Sequence, residues 1–117
     1  MPALNYQKQF ADDVESGKKR QTVRAFRKDG RDPKPGQTLF HYTGMRTKAC
    51  RKLREDECKS TIPISIDTHI IAFDGVPLSW TEMEKTARAD GFESFYDLRD
   101  FFWENHGLPF NGLLIEW

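Results

Sequence analysis

The chain has 117 residues, 18 basic and 18 acidic side chains, and a 38% apolar fraction that includes nine Phe, three Trp and three Tyr. That length supports one core and is too short for two, so a single domain over 1–117 is expected. No apolar run approaches the ~18 residues of a membrane span and no signal peptide is legible at the N-terminus. A cytoplasmic location with no membrane partner is therefore expected.

In chain order, Leu4 to Tyr6 reads as a short opening strand. Tyr6, Phe10 and Val14 then recur every four residues with Ala11 beside them, which predicts one apolar helix face ending at Gly17. Gln21 to Arg24 reads as a strand, and "RKDGRDPKPGQ" as a loop by its Asp-Gly, Pro and Gly content. Thr38 to Thr43 alternates Leu39, His41 and Thr43 with Phe40 and Tyr42. A second β-rich run spans Cys58 to Ile66 and a third Thr68 to Phe73. "FDGV" supplies a hairpin turn, and Pro77 in the returning limb marks an edge. "SWTE" is a capping box that opens a helix from about Trp80 to Asp90, stopped by Gly91. Ser94 caps a second helix with Phe95, Leu98, Phe101 and Phe102 on one face, and Gly112 to Trp117 closes the chain as a strand. Short, hairpin-linked strands do not suit a doubly wound sheet. The expectation is an α+β fold: a small β-barrel with one N-terminal helix and two helices near the C-terminus.

The balanced net charge hides an asymmetry. From Lys18 to Arg54 there are thirteen basic residues against two acids, a net of +11, and the remainder carries −11. Such a block attracts polyanions, although two solvated faces that offset each other fit the same composition. Within it, Tyr42 precedes Arg46, Lys48, Arg51 and Lys52, an aromatic to stack a base beside cations to hold phosphates. Lys18, Arg20, Arg24 and Arg27 extend the block upstream. A solvated hairpin is the alternative reading, and RNA contact is the expected one because the basic excess continues from Lys18.

Other chemistry is poorly supported. His41, His69 and His106 form no HxxxH or HExxH pattern, so no metal site is expected. There is no GxGxxG or Walker loop, no GxSxG elbow, and no cofactor is implied. Cys50 and Cys58 lack a CxxC or a His partner at zinc spacing and are expected as free thiols.

Thr22 and Arg24 are two apart on a strand and share a face, with Lys19 just before them. A threonine nucleophile needs a base, and a lysine serves only if burial or nearby cations lower its pKa from ~10.4. The same residues also suit a lysine-rich turn in which Arg24 merely pairs with a carboxylate.

Four stretches, "FADDVESGKKRQTVR", "KPGQTLFHYTG", "ARADGF" and "PFNGLLIEW", in this order over nearly the full chain, resemble the ASCH family of the PUA-like superfamily. The similarity is greatest to small ASCH proteins of phages and prophages. The resemblance implies a small barrel with a cleft that binds RNA or a modified nucleoside. Some members are ribonucleases or are linked to RNA metabolism, and others hydrolyse the amide of N4-acetylcytidine with a lysine, a threonine and a glutamate. Carried over, the lysine is Lys19, the threonine Thr22 and the arginine two further on Arg24; the glutamate's place falls on Asp90, one methylene shorter. The expected function is an RNA- or modified-nucleoside-binding protein with a basic cleft. The alternatives are a ribonuclease or N4-acetylcytidine amidohydrolase using Lys19, Thr22 and Asp90, or a phage accessory protein. The last would dock a host protein through the acidic helices, with Phe95, Tyr96, Phe102 and Trp103 as anchors.

Overall fold

In the computed structural model, which describes residues 2–117, the fold is organised around its last strand. "FNGLLIE" is apolar on both faces, as a strand covered on two sides must be. In chain order the elements are β1 (Ala3–Tyr6), α1 (Lys8–Ser16), β2 (Gln21–Ala25), β3 (Thr38–Thr43), β4 (Arg51–Glu57) and β5 (Ser60–Ile66). They continue with β6 (Ile71–Phe73), β7 (Val76–Pro77), α2 (Trp80–Ala89), α3 (Phe95–His106) and β8 (Phe110–Glu116). On one face of β8, Leu114 joins Val23, Ile64 and Ile66 under Met83, Ala87, Phe95, Leu98 and Phe102 of the two C-terminal helices. On the other face, Leu113 and Ile115 join Leu4, Tyr6, Leu39, Leu53 and Trp117, with Ala11 and Val14 of α1.

The expected closed barrel does not form. The strands make two open sheets, β1-β3-β4 and β2-β8-β5-β6-β7. Closure requires the outer strands to hydrogen-bond to each other. Here β1 pairs with β3, in parallel, and β2 pairs with β8. At the far edge, β7 has two residues, and Pro77 has no N–H to donate. Over the described residues the protein is therefore α+β, with three helices on two sheets.

Local signals account for the helix ends. Gly17 takes φ 83° after α1 and donates its N–H to the Val14 carbonyl. At α2 the capping box is complete: the Glu82 N–H donates to Ser79 Oγ, and the Ser79 N–H donates to the Glu82 carboxylate. Ser94 caps α3 by accepting from the Asp97 N–H. Both cysteines are free, Cys58 buried and Cys50 exposed. No helix among the described residues is long and apolar enough to cross a membrane.

Gly112 is required by packing. A Cβ there would lie 2.3 Å from the Arg24 carbonyl oxygen and 2.8 Å from Phe110 Cζ. Neither the β2 backbone nor a buried ring can yield that space cheaply. Gly112→Ala is expected to cost about 1–3 kcal/mol, as overpacking does, read as a lowered urea midpoint.

Candidate functional site

β1 and β2 are both outer strands that leave each other unpaired, and a cavity of about 260 Å³ lies where both contribute walls. Asn5 and Tyr6 come from β1, Phe10 from α1, Thr22 and Arg24 from β2, and Asp90 and Phe92 from the turn between α2 and α3. Phe101, Asn105 and His106 of α3 complete it, and Lys19 enters from the segment before β2. The open sheets thus leave the space that a closed ladder would have filled.

The polar end of the cavity is buried. Lys19 is 3% exposed, Thr22 5% and Asp90 4%. The Lys19 ammonium lies 3.0 Å from Asp90 Oδ1 and also donates to the Asp90 backbone carbonyl. The shorter acid reaches because Gly91, at φ 98°, turns the chain back at once and packs against Phe10 and the Lys19 stem. A Cβ at Gly91 would meet the Phe10 ring at 3.1 Å. Lys19 is anchored from behind by its own N–H, which donates to the Asp13 carbonyl.

Burial pushes the Lys19 amine below its ordinary value; the Asp90 carboxylate opposes this and the Arg24 charge adds to it. Lys18 and Arg20, the chain neighbours of Lys19, are exposed and do not enter the cavity. With Lys59 they line a separate shallow concavity. Burial likewise pushes Asp90 up, and Lys19 and Arg24 pull it back.

Beside this pair, Arg24 Nε donates to Thr22 Oγ1 at 3.2 Å, and the guanidinium lies 4.7 Å over the Tyr6 ring. Among the described residues no carboxylate lies within ion-pair distance of Arg24. The simple pairing that the sequence left open is thus not what holds it. The apolar end is aromatic. Phe10, Phe92 and Phe101 pack edge-to-face or tilted with centroids 5.2–5.8 Å apart. The Lys19 ammonium sits 5.1 Å from the Phe10 ring centre. A polar floor with aromatic walls suits a flat heteroaromatic ligand that carries hydrogen-bonding groups.

The basic segment lies apart from this floor. Arg46 and Lys48 are exposed in the turn between β3 and β4, and neither has an acidic partner among the described residues. Arg51 pairs with Glu15 at 2.7 Å, and Lys52 pairs with Glu55 while covering Phe40 at 5.3 Å. Tyr42 is half-buried on β3. Arg27 is exposed and donates to the Ala3 carbonyl. The turn is nevertheless tied to the cavity rim, because the Met45 N–H donates to Asn5 Oδ1 at 3.0 Å. Of the proposed protein-docking anchors, Phe95 and Phe102 belong to the core, whereas Tyr96 and Trp103 are exposed.

One buried network escaped the sequence reading. His41, taken there as an isolated histidine, is wholly buried, with Tyr6 Oη 2.9 Å from its Nδ1 and Asp56 Oδ2 3.3 Å from its Nε2. The groups facing it are Tyr6 on β1, Arg54 and Asp56 on β4, Arg24 on β2 and the Trp117 ring. Burial pushes its pKa down to about 4; Asp56 opposes this, and Arg54 and Arg24 reinforce it. The unfolded chain binds a proton near 6.5, so the neutral native histidine contributes stability above that pH. The contribution is lost as pH falls from 6.5 to about 4. The full loss amounts to about 3 kcal/mol. Urea unfolding at pH 7 and pH 4.5 should show wild type losing more stability than His41→Gln. The signal available in sequence was only the alternation that turned His41 inward with Leu39.

Comparison with family models, curated proteins and solved structures returned no match for this chain.

Proposed function

We propose that the protein binds a modified nucleoside in the cavity between β1 and β2 and hydrolyses an acyl amide on its exocyclic nitrogen. The observation that carries this reading is the buried Lys19–Asp90 pair beside the buried Thr22 hydroxyl, both opening on one aromatic-walled space. About 260 Å³ lies just below the ~300–1,000 Å³ usual for small-molecule sites, a size for a nucleoside rather than a folded RNA element. The resemblance of Lys19, Thr22 and the Asp90 position to the ASCH pattern supports the same chemistry.

In this reading the base ring sits among Phe10, Phe92 and Phe101. Thr22 Oγ attacks the acyl carbon while its proton passes to Lys19 in its deprotonated form, which burial and the Arg24 charge favour and the Asp90 carboxylate opposes. Asp90 orients that amine. The guanidinium of Arg24 stabilises the developing oxyanion. The C–N bond then breaks, the departing exocyclic nitrogen takes the proton from Lys19, and water releases the acyl group from Thr22 as a carboxylate. The freed nucleoside carries a primary amine.

A second reading is RNA binding, favoured by the tie between the Arg46–Lys48 turn and the cavity rim at Asn5. Cations there would hold phosphates flanking a base that enters the cavity. The test is incubation of the protein with N4-acetylcytidine and, separately, with labelled single-stranded RNA, the products resolved chromatographically. The proposal expects cytidine and acetate from the first. Intact N4-acetylcytidine with cleaved RNA would replace it by a nuclease, and RNA retained but uncut would leave the binding reading alone.

A further inference from the structure

A buried polar cluster behind Tyr6 reaches the floor of the cavity; its link between His41 Nε2 and Asp56 Oδ2 is a 3.3 Å electrostatic approach without hydrogen-bond geometry. Asp56 is gripped by Arg54, with Nε 2.7 Å from Oδ2 and the terminal nitrogen donating to Oδ1 at 3.0 Å. His41 faces Asp56 through Nε2 and Tyr6 through Nδ1. Tyr6, 3% exposed, presents its ring to the Arg24 guanidinium at 4.7 Å. Arg24 in turn donates to Thr22 Oγ1.

Directionality follows from the proton inventory. Burial keeps the Tyr6 phenol protonated, so its O–H donates to His41 Nδ1. The imidazole proton then sits on Nε2, toward Asp56. The Trp117 ring packs against the imidazole, with centroids 4.4 Å apart. Register brings these groups together. Leu4 pairs with His41 and His41 with Arg54, so β1, β3 and β4 each supply one layer of the chain. A guanidinium with no carboxylate partner would otherwise be drawn toward water.

We infer that Tyr6, clamped by His41 and Asp56, is a positioning residue that holds Arg24 against the Thr22 hydroxyl. This rests on reading the cavity as the reaction site. With Arg24 Nε donating into Oγ1, the Thr22 proton points away from the guanidinium and is available for transfer. The donated bond also stabilises negative charge on that oxygen. Release of the clamp lets Arg24 swing off Thr22 and leaves the hydroxyl unoriented. Binding through the aromatic walls is untouched, so the loss falls on kcat and spares KM.

The experiment follows the Arg24 Nε–H resonance by 15N NMR, together with turnover of N4-acetylcytidine, in wild type, Tyr6→Phe and Asp56→Asn. Asp56→Asn is included because it changes only the outer end of the chain, on β4, and leaves Tyr6 intact. Wild type is expected to show a slowly exchanging Nε–H. Both variants, folded by circular dichroism, should show exchange at least tenfold faster, with kcat about tenfold lower and KM within twofold. Unchanged Nε–H exchange in either folded variant would overturn the inference. If wild type does not turn over this substrate, the proposed reaction fails, and the exchange measurement still decides the positioning role.

Discussion

Asp90→Ala is expected to destabilise the protein by about 3–5 kcal/mol, the cost of leaving a buried charge without its partner. The Lys19 and Asp90 side chains are 3% and 5% exposed, so water cannot replace the lost carboxylate. The ammonium would keep only the backbone carbonyl of residue 90 as acceptor. Relief comes from losing the proton, since burial already lowers the Lys19 pKa. The unfolded chain then holds more protons than the native one, so the variant's stability should rise with pH toward the ordinary lysine value of ~10.4. Wild type keeps the pair and should show a weaker rise over that window. The double replacement Lys19→Met with Asp90→Leu removes both charges and should lie well above Asp90→Ala and near wild type. Urea titrations of the three proteins at pH 7 and pH 9.5 check the order. An Asp90→Ala protein as stable as wild type at pH 7 would mean that the pair is not formed.

Thr22→Val should leave only residual turnover while keeping the fold in place. Valine has nearly the volume of threonine and suits a strand, so the loss is one hydroxyl. Arg24 Nε is left without its acceptor, worth about 1–3 kcal/mol. Turnover of N4-acetylcytidine should fall by about 10³-fold or more, as for removal of a nucleophile. Lys19→Met should fall comparably, and the double variant should be little worse than either, because the two act in one step. Thr22→Ser retains the hydroxyl and should keep measurable activity. Single-turnover rates decide; more than a tenth of wild-type rate in folded Thr22→Val would remove the threonine from the chemistry.

Helix boundaries were legible because glycine and serine punctuate them: Gly17, Ser79, Gly91 and Ser94 all act where local rules place them. β4 was read as a basic segment because "RKLREDE" offers one inward apolar residue, Leu53, and otherwise charge. An outer strand needs no second apolar face, so period-two hydrophobicity is almost absent there. The barrel failed for a related reason. Strand lengths and hairpins can be read locally, but whether outer strands meet depends on which partner each takes, and β1 takes β3 in parallel.

The candidate site divides along the same line. Lys19, Thr22 and Arg24 are near neighbours in sequence, and spacing alone placed Thr22 and Arg24 on one side of β2. Asp90 came only with the resemblance; its reach to Lys19 across 71 residues depends on the turn at Gly91. Tyr6, His41 and Asp56 were invisible as a unit, because register between three strands brings them together. The basic stretch from Lys18 to Arg54 read as one electrostatic surface. In space it separates into buried Lys19, half-buried Arg24, cations neutralised by Glu15 and Glu55, and an exposed pair at Arg46 and Lys48.

The central claim is that the cavity between β1 and β2 receives a modified nucleoside, and a ligand titration followed by amide-resolved NMR tests it most directly. With N4-acetylcytidine added to the slowly reacting Thr22→Val protein, shifts should concentrate on Lys19, Val23, Asp90, Gly91 and Phe92. Shifts confined to the Arg46–Lys52 segment, or none at millimolar ligand, would contradict it.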